Sequence, residues 1–303
     1  MANVSDAMKR HQAEVATRAA DEDAPEAQPP GQDPSDSTMI DIELAGEADH
    51  DAAPGPPPQA PAPSGAPPRP ADRAALAAAQ GAAFSDVVVA HHDRGSGITE
   101  EYRSLRTNLL AKCTDGRFGY IVTSAEAGEG KTVTCLNLAV VLAERSERTT
   151  LLVDGDLRKG SAAKMLRVPG KPGMVDVLRG ELTLQSVIQP TVYPNLFFLP
   201  AGKANMNEIG TLLSRMERED IFTDVRRRYD YVLVDTPPIN VAADAGVLGQ
   251  SIGDALLIVR MNKTRTESVE KAIRLLHAAN VNLSGLVLTH RKYYIPNYIY
   301  RYS

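Results

Sequence analysis

The amino-acid sequence predicts a doubly wound α/β fold, in which helices cover both faces of a mostly parallel β-sheet, with a disordered arm ahead of it. Two observations support this fold class. From Tyr120 onward, short continuous apolar runs recur along the chain, as is typical of strands buried on both faces. Between most of these runs lie longer stretches with apolar residues at helical spacing. Strands that alternate with helices indicate a parallel sheet.

Residues 1–83 are predicted to form the disordered arm. Residues 1–70 hold 13 of the 21 prolines, and no aromatic residue precedes Phe84. A segment of this composition cannot bury enough apolar surface to offset the entropy lost on ordering. Residues 39–45, MIDIELA, alternate apolar and polar side chains and are either a docking segment or a chance cluster.

Charge and composition exclude several classes of protein. Residues 1–90 carry 15 acidic and 5 basic side chains, a net charge of −10, so the whole-chain charge of −5 leaves +5 on residues 91–303. A surplus this small, without a long basic stripe, argues against a nucleic-acid partner. No apolar run has the length of a membrane span or the position of a signal-peptide core. Because Cys113 and Cys135 also fit a reducing compartment, we expect a cytoplasmic protein.

One α/β domain is predicted over residues 84–289, where the chain is long enough for a full core. Its strands are predicted at six runs: YIVTS at Tyr120, TLLVD at Thr150, LFFLP at Leu196, YVLVD at Tyr231, ALLIV at Ala255 and GLVLT at Gly285. Helices are predicted over residues 133–145, 207–228 and 268–279. An earlier helix over EEYRSLRTNL is predicted to have Thr99 as its N-cap and Glu100 in its first turn.

A phosphate-binding loop is predicted between the first strand and the first long helix. Residues 124–132, SAEAGEGKT, match this loop, although Ala125 stands where the first glycine is usual. Small residues let backbone N–H groups surround a polyphosphate, the lysine reaches the outer phosphates and the hydroxyl ligates magnesium. The predicted nucleotide-binding residues are Gly128, Glu129, Gly130, Lys131 and Thr132. The alternative is a glycine-rich turn that precedes Lys-Thr by chance.

Three aspartates lie at or just after the ends of predicted strands. Asp154 and Asp156 lie in LLVDGDLR, and Asp235 ends the run in VLVDTPP. In open α/β sheets ligands bind beyond the carboxyl ends of the strands. Carboxylates there, facing a phosphate loop, suit a Mg²⁺ ion shared with a triphosphate. The alternative is that one of them, Asp156 above all, caps the turn that follows it.

Together these motifs and a tyrosine-rich end resemble the bacterial tyrosine kinases of capsule and exopolysaccharide systems. The resemblance extends from residue 98 to the end of the sequence and implies ATP and Mg²⁺ as cofactors. By this resemblance Lys131 and Thr132 hold the ATP phosphates and Mg²⁺. Asp154 and Asp156 serve the catalytic and metal site, and Asp235 completes the metal shell. Metal ligation therefore falls to Thr132, Asp156 and Asp235, and catalysis to Lys131 and the three aspartates.

The last residues of the sequence, RKYYIPNYIYRYS, hold half of the ten tyrosines. The last predicted strand should end at the same sheet edge as the phosphate loop, so the tail, residues 290–303, should leave the fold beside the nucleotide site. Fully extended, it reaches roughly 45 Å. We predict that its tyrosines accept phosphate, mainly between subunits; they are Tyr293, Tyr294, Tyr298, Tyr300 and Tyr302. The alternative is an aromatic anchor for a protein partner or a membrane interface.

The resemblance also implies partners. Glu100, Arg103 and Arg106 match the Glu-x-x-Arg-x-x-Arg pattern that forms subunit contacts in the family, whereas the residues alone indicate an ordinary solvated helix face. The implied assembly is a homo-oligomeric ring, with an octamer as one form. A separate transmembrane polysaccharide co-polymerase, or chain-length regulator, is implied as activator and would recruit the protein to the inner face of the membrane. A tyrosine phosphatase is a further expected partner.

Some residues depart from the family pattern and leave other functions open. Ala127 replaces a common proline, and NMNEIGTLL replaces the usual Asn-Pro-x-Glu-Leu-Leu pattern. No residue is therefore assigned to binding the adenine base. These departures are compatible with a weakly catalytic nucleotide-binding scaffold. A partition or positioning ATPase is another alternative, but proteins of that class place a second lysine where this chain has Glu126.

Overall fold

The structure, a computed structural model, describes residues 84–113, 116–219 and 221–290. The predicted arm, its MIDIELA stretch and the tail from residue 291 onward, with all five predicted phosphoacceptor tyrosines, lie outside the described residues. The domain limits at residues 84 and 289 therefore stay a prediction.

A seven-stranded sheet forms the centre of the described fold. Its strands are β1 (Phe118–Ser124), β2 (Thr150–Asp154), β3 (Gln189–Pro190), β4 (Leu196–Leu199), β5 (Tyr231–Asp235), β6 (Asp254–Arg260) and β7 (Asn282–Thr289). Their order in the sheet is β3-β4-β2-β5-β1-β6-β7. Every neighbouring pair is parallel except β3 with β4, which is antiparallel. The predicted mostly parallel sheet and its six predicted strands are confirmed.

Helices connect the strands and lie on both faces of the sheet. Within the described residues they are α1 (Val89–His92), α2 (Gly97–Ala111), α3 (Lys131–Ala143), α4 (Ala162–Leu166), α5 (Met174–Leu178), α6 (Leu184–Val187), α7 (Ile209–Glu219), α8 (Ile221–Arg228), α9 (Asp244–Ile252) and α10 (Thr266–Ala278). The predicted helices over residues 133–145 and 268–279 correspond to α3 and α10. The predicted helix over residues 207–228 corresponds to α7 and α8, on either side of the undescribed residue 220. No helix in these ranges combines the length and apolar content that crossing a bilayer requires.

The predicted N-cap of α2 is wrong. The N-cap is Ser96, whose side chain accepts a hydrogen bond from the backbone N–H of Thr99 at 3.2 Å. Thr99 lies inside the first turn, is buried, and donates its hydroxyl to the Asp93 carbonyl at 2.7 Å. Both hydroxyls suit a helix start, so the sequence alone did not show which of them precedes the first turn.

Two hydrophobic cores, one on each face, fix the sheet between helix layers. Along β1, Ile121 packs into the core shared with α7, α9 and α10, while the next residue, Val122, packs into the core that contains α3. Successive side chains of a strand point to opposite faces, and here both faces are covered. This is why the strands appear in the sequence as continuous apolar runs. The same layering brings the carboxyl ends of the six parallel strands to one edge.

Candidate active site

The phosphate-binding loop lies between the end of β1 and the start of α3. Gly128 and Gly130 have φ angles of 80° and 92°, a region that only glycine adopts readily. Lys131 begins α3, so the first backbone N–H groups of a helix of thirteen residues face the loop. The predicted loop residues therefore form a backbone cradle at a helix N-terminus, which is a suitable environment for an anion.

Glu129 contributes its backbone, rather than its carboxylate, to this cradle. Its side chain is buried and accepts hydrogen bonds from the backbone N–H of Glu126 at 2.8 Å and of Arg260 at 3.4 Å, and also from the Thr264 hydroxyl. These bonds tie the loop to the segment that follows β6. The carboxylate thus fixes the shape of the loop, and only the main chain of Glu129 is left to meet a phosphate.

Lys131, Thr132, Asp156 and Asp235 converge beside the loop. The Thr132 hydroxyl donates to Asp235 Oδ2 at 2.7 Å. Lys131 Nζ lies 3.6 Å from Asp235 Oδ1 and 3.7 Å from Asp156 Oδ2. The other oxygen of Asp156, Oδ1, accepts the backbone N–H of Lys159 at 3.1 Å. Asp156 therefore both caps the following turn and faces the site, which combines the two readings of the sequence.

Asp154 lies at the same edge but is enclosed. It is paired in register with Asp235 on the neighbouring strand. Its oxygens accept backbone N–H bonds from Asp156 at 3.3 Å and from Ala162 at 3.0 Å. Burial and the nearby Asp235 carboxylate raise the pKa of Asp154 to about 8. In this arrangement Asp154 fixes the loop that carries Asp156, and its catalytic role stays a prediction.

The donor set fits a Mg²⁺ ion shared with a triphosphate. Burial raises the pKa of Asp235 to about 6, although Lys131 and Thr132 favour its charged form. Its Oδ1 is buried and receives no hydrogen bond from any described residue. A buried oxygen of this kind suits a hard cation. No group of three or more His, Cys, Asp or Glu side chains in the described ranges could hold a metal by itself. Mg²⁺ is usually held by one or two carboxylates together with water and substrate phosphates.

The end of β7 meets the phosphate loop. The hydroxyl of Thr289, the last residue of β7, donates to the Glu129 carbonyl at 2.7 Å. A Cβ placed on Gly130 would lie 3.7 Å from the Thr289 side chain. The prediction that the last strand ends beside the loop is therefore confirmed.

Comparisons with known proteins agree with this geometry. The family model AAA_31, described as an AAA domain, matches residues 121–279. The putative tyrosine-protein kinase CapB of Staphylococcus aureus is 30% identical over 199 residues, which cover 65% of this chain and 86% of that protein. The tyrosine-protein kinase YwqD of Bacillus subtilis is 31% identical over 219 residues, which cover 72% of this chain and 92% of that protein. The chain belongs to the bacterial tyrosine kinase family.

A solved structure of the same family extends the comparison. The kinase domain of the Escherichia coli tyrosine kinase ETK superposes with a TM-score of 0.62 at 28% identity and covers 69% of this chain and 83% of that one. Other members are much longer. The matched region spans only 26% of the tyrosine-protein kinase ptk of Acinetobacter johnsonii and 25% of the putative tyrosine-protein kinase EpsB of Ralstonia solanacearum.

The predicted subunit-contact residues of this tyrosine kinase family member lie together on α2 and bind within the chain. Arg103 forms ion pairs with Glu100 and with Glu144, both at 2.5 Å, and Arg106 contacts Glu144 at 2.9 Å. Hydrogen bonds from Arg103 lower the pKa of Glu144, even though partial burial opposes this shift. The sequence did not point to Glu144, which lies directly after α3. Whether this cluster forms subunit contacts stays a prediction.

The contacts of two further side chains near the site were also not predicted from the sequence. Arg158, in the loop after β2, forms a bidentate ion pair with Asp244, the first residue of α9. The arginine belongs to the Asp-x-Asp-x-Arg pattern, but nothing in the sequence names its partner. Glu126, at the position where partition ATPases usually have a lysine, accepts a hydrogen bond from the Ser268 hydroxyl at 2.8 Å.

Proposed function

We propose that this protein is an ATP-dependent protein-tyrosine kinase that phosphorylates its own C-terminal tyrosine cluster, mainly between subunits. The observation that carries the proposal is the contact of Thr289 with Glu129, because β7 leads into the tail and ends against the phosphate loop. His290, the last described residue, therefore lies beside the nucleotide site. Relatives such as CapB and YwqD are named tyrosine-protein kinases, which supports the same activity.

The residues of the site divide the work between phosphate and metal. Bound MgATP would supply the γ-phosphoryl group. Backbone N–H groups of residues 128–132 and the ammonium of Lys131 would hold the phosphates. The Thr132 hydroxyl, the Asp235 oxygen that receives no hydrogen bond and the Asp156 carboxylate would hold Mg²⁺. The N–H groups for the phosphates and the oxygen ligands for Mg²⁺ already lie around the loop, so these side chains need to move little when MgATP binds.

In the transfer step, a tyrosine oxygen forms a bond to the γ-phosphorus while the bond from that phosphorus to the β–γ bridging oxygen breaks. ADP leaves with the bridging oxygen, and the phenol proton passes to a carboxylate of the site. A phenol has a pKa of about 10, but the transition state is loose, so a weak base that accepts the proton late is sufficient. We assign this role to Asp154, whose carboxyl holds a proton at neutral pH in the ligand-free protein and would have to lose it beside the bound cation before accepting another. Its two backbone hydrogen bonds must loosen before it acts.

Phosphorylation would reverse the charge of the tail and thereby regulate assembly. Arg291, Lys292 and Arg301 give the tail a charge of about +3 before the terminal carboxylate is counted. Each phosphate adds roughly −1.5 to −2, so two phosphates make the tail negative, and a negative tail docks poorly against a carboxylate-rich site. We propose that autophosphorylation dissociates a ring held by the Glu100, Arg103 and Arg106 cluster.

In this proposal the kinase serves capsule or exopolysaccharide assembly or export. A separate transmembrane co-polymerase recruits it from the cytoplasm to the inner face of the membrane and activates it, and a tyrosine phosphatase resets it. The support is the family membership and the names of relatives such as CapB. The arm is proposed as the tether to the membrane partner.

The test is phosphate mapping on the purified full-length chain. The protein is treated with a phosphatase, repurified and incubated with ATP and Mg²⁺, and its peptides are analysed by mass spectrometry. We expect phosphate on the tail tyrosines, absent in Lys131→Met, and a lower oligomeric mass after reaction. ATP hydrolysis without tail modification would indicate an ATPase instead. A chain that binds ATP but leaves its tail unmodified, even with the membrane activator supplied, would overturn the proposal.

A further inference from the structure

The ion pair between Arg158 and Asp244 joins the two loops that follow the site carboxylates. Arg158 lies in the loop after β2, directly beyond Asp156, and Asp244 begins α9, the helix reached through the loop after Asp235. β2 and β5 are neighbours in the sheet, so these loops lie side by side. One ion pair therefore bridges the segments that position Asp156 and Asp235.

The geometry of the pair fixes the orientation of the Arg158 guanidinium as well as its position. Arg158 Nε donates to Asp244 Oδ2 at 3.0 Å, and Nη2 donates to Oδ1 at 2.9 Å. The Asp244 side chain is 1% exposed, whereas that of Arg158 is 34% exposed. Two parallel hydrogen bonds to a buried carboxylate hold the guanidinium in one plane. The loop after β2 is thus fastened to the start of a core helix.

Stability alone does not account for this pair. A buried ion pair contributes about as much as well-packed apolar residues of similar size, because desolvation of the charges offsets their attraction. What the pair adds is a fixed geometry. It also adds no net charge beside Asp156, since Asp244 balances Arg158.

Asp156 lies between the Arg158–Asp244 pair and a second contact that holds the same loop, made by Gly155. The backbone N–H of Gly155 donates to the Asp235 carbonyl at 2.8 Å, and a Cβ on Gly155 would lie only 2.9 Å from that oxygen. Asp156 itself contacts the site through Oδ2, 3.7 Å from Lys131 Nζ. Its carboxylate position therefore depends on the loop being held at both Gly155 and Arg158.

We infer that the Arg158–Asp244 pair positions the Asp156 carboxylate for the metal shared with the nucleotide. The inference rests on the proposed kinase function and deepens it. Arg158 and Asp244 are positioning residues, because they act through Asp156. Residues that orient a metal ligand through another group typically change metal affinity or activity about 10–100-fold when replaced. Displacements of about 1 Å at a reacting centre can lower rates about a hundredfold.

The main test variant is Arg158→Lys, which keeps the charge but cannot form the two-pronged contact. The full chain is loaded with a non-hydrolysable ATP analogue, and Mn²⁺ binding is measured by electron paramagnetic resonance. Phosphate transfer is measured separately, and nucleotide affinity is measured in EDTA. We expect Mn²⁺ affinity to fall about tenfold and kcat about 10–100-fold. Nucleotide affinity without metal should change less than about twofold, because the cradle itself is untouched.

The matched control is Arg148→Lys. Arg148 pairs with Asp230 at 3.0 Å and has a similar exposure, but it lies at the opposite edge of the sheet. This variant should leave Mn²⁺ affinity and kcat unchanged. If Arg158→Lys does not fold, the double variant Arg158→Gln with Asp244→Asn replaces the ions by neutral hydrogen-bonding groups and carries the test.

The outcomes distinguish a failure of the positioning role of Arg158 from a failure of the proposed kinase function. Mn²⁺ affinity of the folded Arg158 variant within about twofold of wild type would overturn the positioning role and leave the kinase proposal intact. Wild-type protein that neither binds the nucleotide–Mn²⁺ pair nor transfers phosphate would instead refute the proposed function. An equal loss in the Arg148 control would show a general effect of removing arginines and would also overturn the inference.

Discussion

Replacing Asn137 with alanine should loosen residues 87–90, which lead into α1, from α3. Asn137 is fully buried in α3, the helix that begins at the phosphate loop. Its Oδ1 accepts the backbone N–H of Ala90 at 2.9 Å, and its Nδ2 donates to the Val87 carbonyl at 3.0 Å and to the Val133 carbonyl at 2.8 Å. One amide therefore holds residues 87–90 against α3.

The magnitude follows from the groups left without partners. The Ala90 N–H loses its acceptor in a buried position, which costs roughly 1–3 kcal/mol, and each remaining hydrogen bond contributes about 1 kcal/mol. The Val133 carbonyl contributes less to the loss of stability, because it lies within α3 and can still accept a helical backbone hydrogen bond. We expect a total of about 2–4 kcal/mol. At about 2–4 °C per kcal/mol for a domain of this size, Tm should fall by about 5–15 °C.

The assay combines thermal unfolding with hydrogen exchange measured by mass spectrometry. Exchange should rise most in the peptide that covers residues 84–93. Asn240→Ala is the control, because Asn240 Nδ2 donates to the Ser268 carbonyl at 2.8 Å and joins the loop after β5 to α10, which packs on the other face of the sheet from residues 84–90. The control should lower Tm without raising exchange there. Unchanged exchange in residues 84–93 of Asn137→Ala, or a Tm change below about 2 °C, would refute this reasoning.

Three further predictions concern the site and the helix cluster. Gly155→Ala should lower Tm by several degrees and weaken Mg²⁺ binding, since its Cβ meets the Asp235 carbonyl at 2.9 Å; calorimetry checks both. Under the proposed ring assembly, Glu144→Gln should remove the ion pair of Arg106 and one of the two ion pairs of Arg103 and shift the protein towards smaller species without affecting ATP binding, as measured by light scattering; an unchanged mass would contradict it. In EDTA, the raised pKa of Asp154 means that the folded protein retains a proton that the unfolded chain has lost. Its contribution to stability is complete below about pH 4 and is lost as the pH rises towards about 8. Asp154→Asn should therefore reduce the fall in Tm between pH 5 and 8, and an equal fall in both proteins would contradict the assignment.

The parallel strands were predictable because burial on both faces leaves a local record in the sequence. The runs from YIVTS to ALLIV are mostly apolar, and the structure buries them between helices, whereas GLVLT lies in the edge strand β7 and is only partly buried. The short strand β3 was not predicted. It has two residues, one of them Pro190, and pairs antiparallel at the sheet edge, so neither its length nor its composition marks a strand.

The site was predictable only as far as local motifs describe it. The loop and the three aspartates were found because each lies at the end of a strand or within a few residues of it, and parallel topology brings such residues to one edge. The partners of Arg158 and Arg103 were not found, since ion pairs between distant segments depend on which loops become neighbours. Glu129 shows that a local motif can also suggest a role that the side chain does not have. The motif places it among phosphate-binding residues, yet its carboxylate turns into the protein to bind Arg260 and Thr264.

The charges at the site explain why metal and nucleotide should bind together. Asp156 and Asp235 face a single ammonium, Lys131, so with both carboxylates ionised the site is negative before any ligand arrives. A triphosphate alone would be repelled by these carboxylates, whereas a divalent cation reverses the sign of the local field. Burial strengthens both effects, because the surrounding protein screens less than water does. Under the proposed kinase function the same electrostatics would apply to the tail: a positively charged segment would be attracted to this edge, and each phosphate it gained would weaken that attraction. In that case a single set of carboxylates would recruit the metal, hold the acceptor segment and release it once it has been modified.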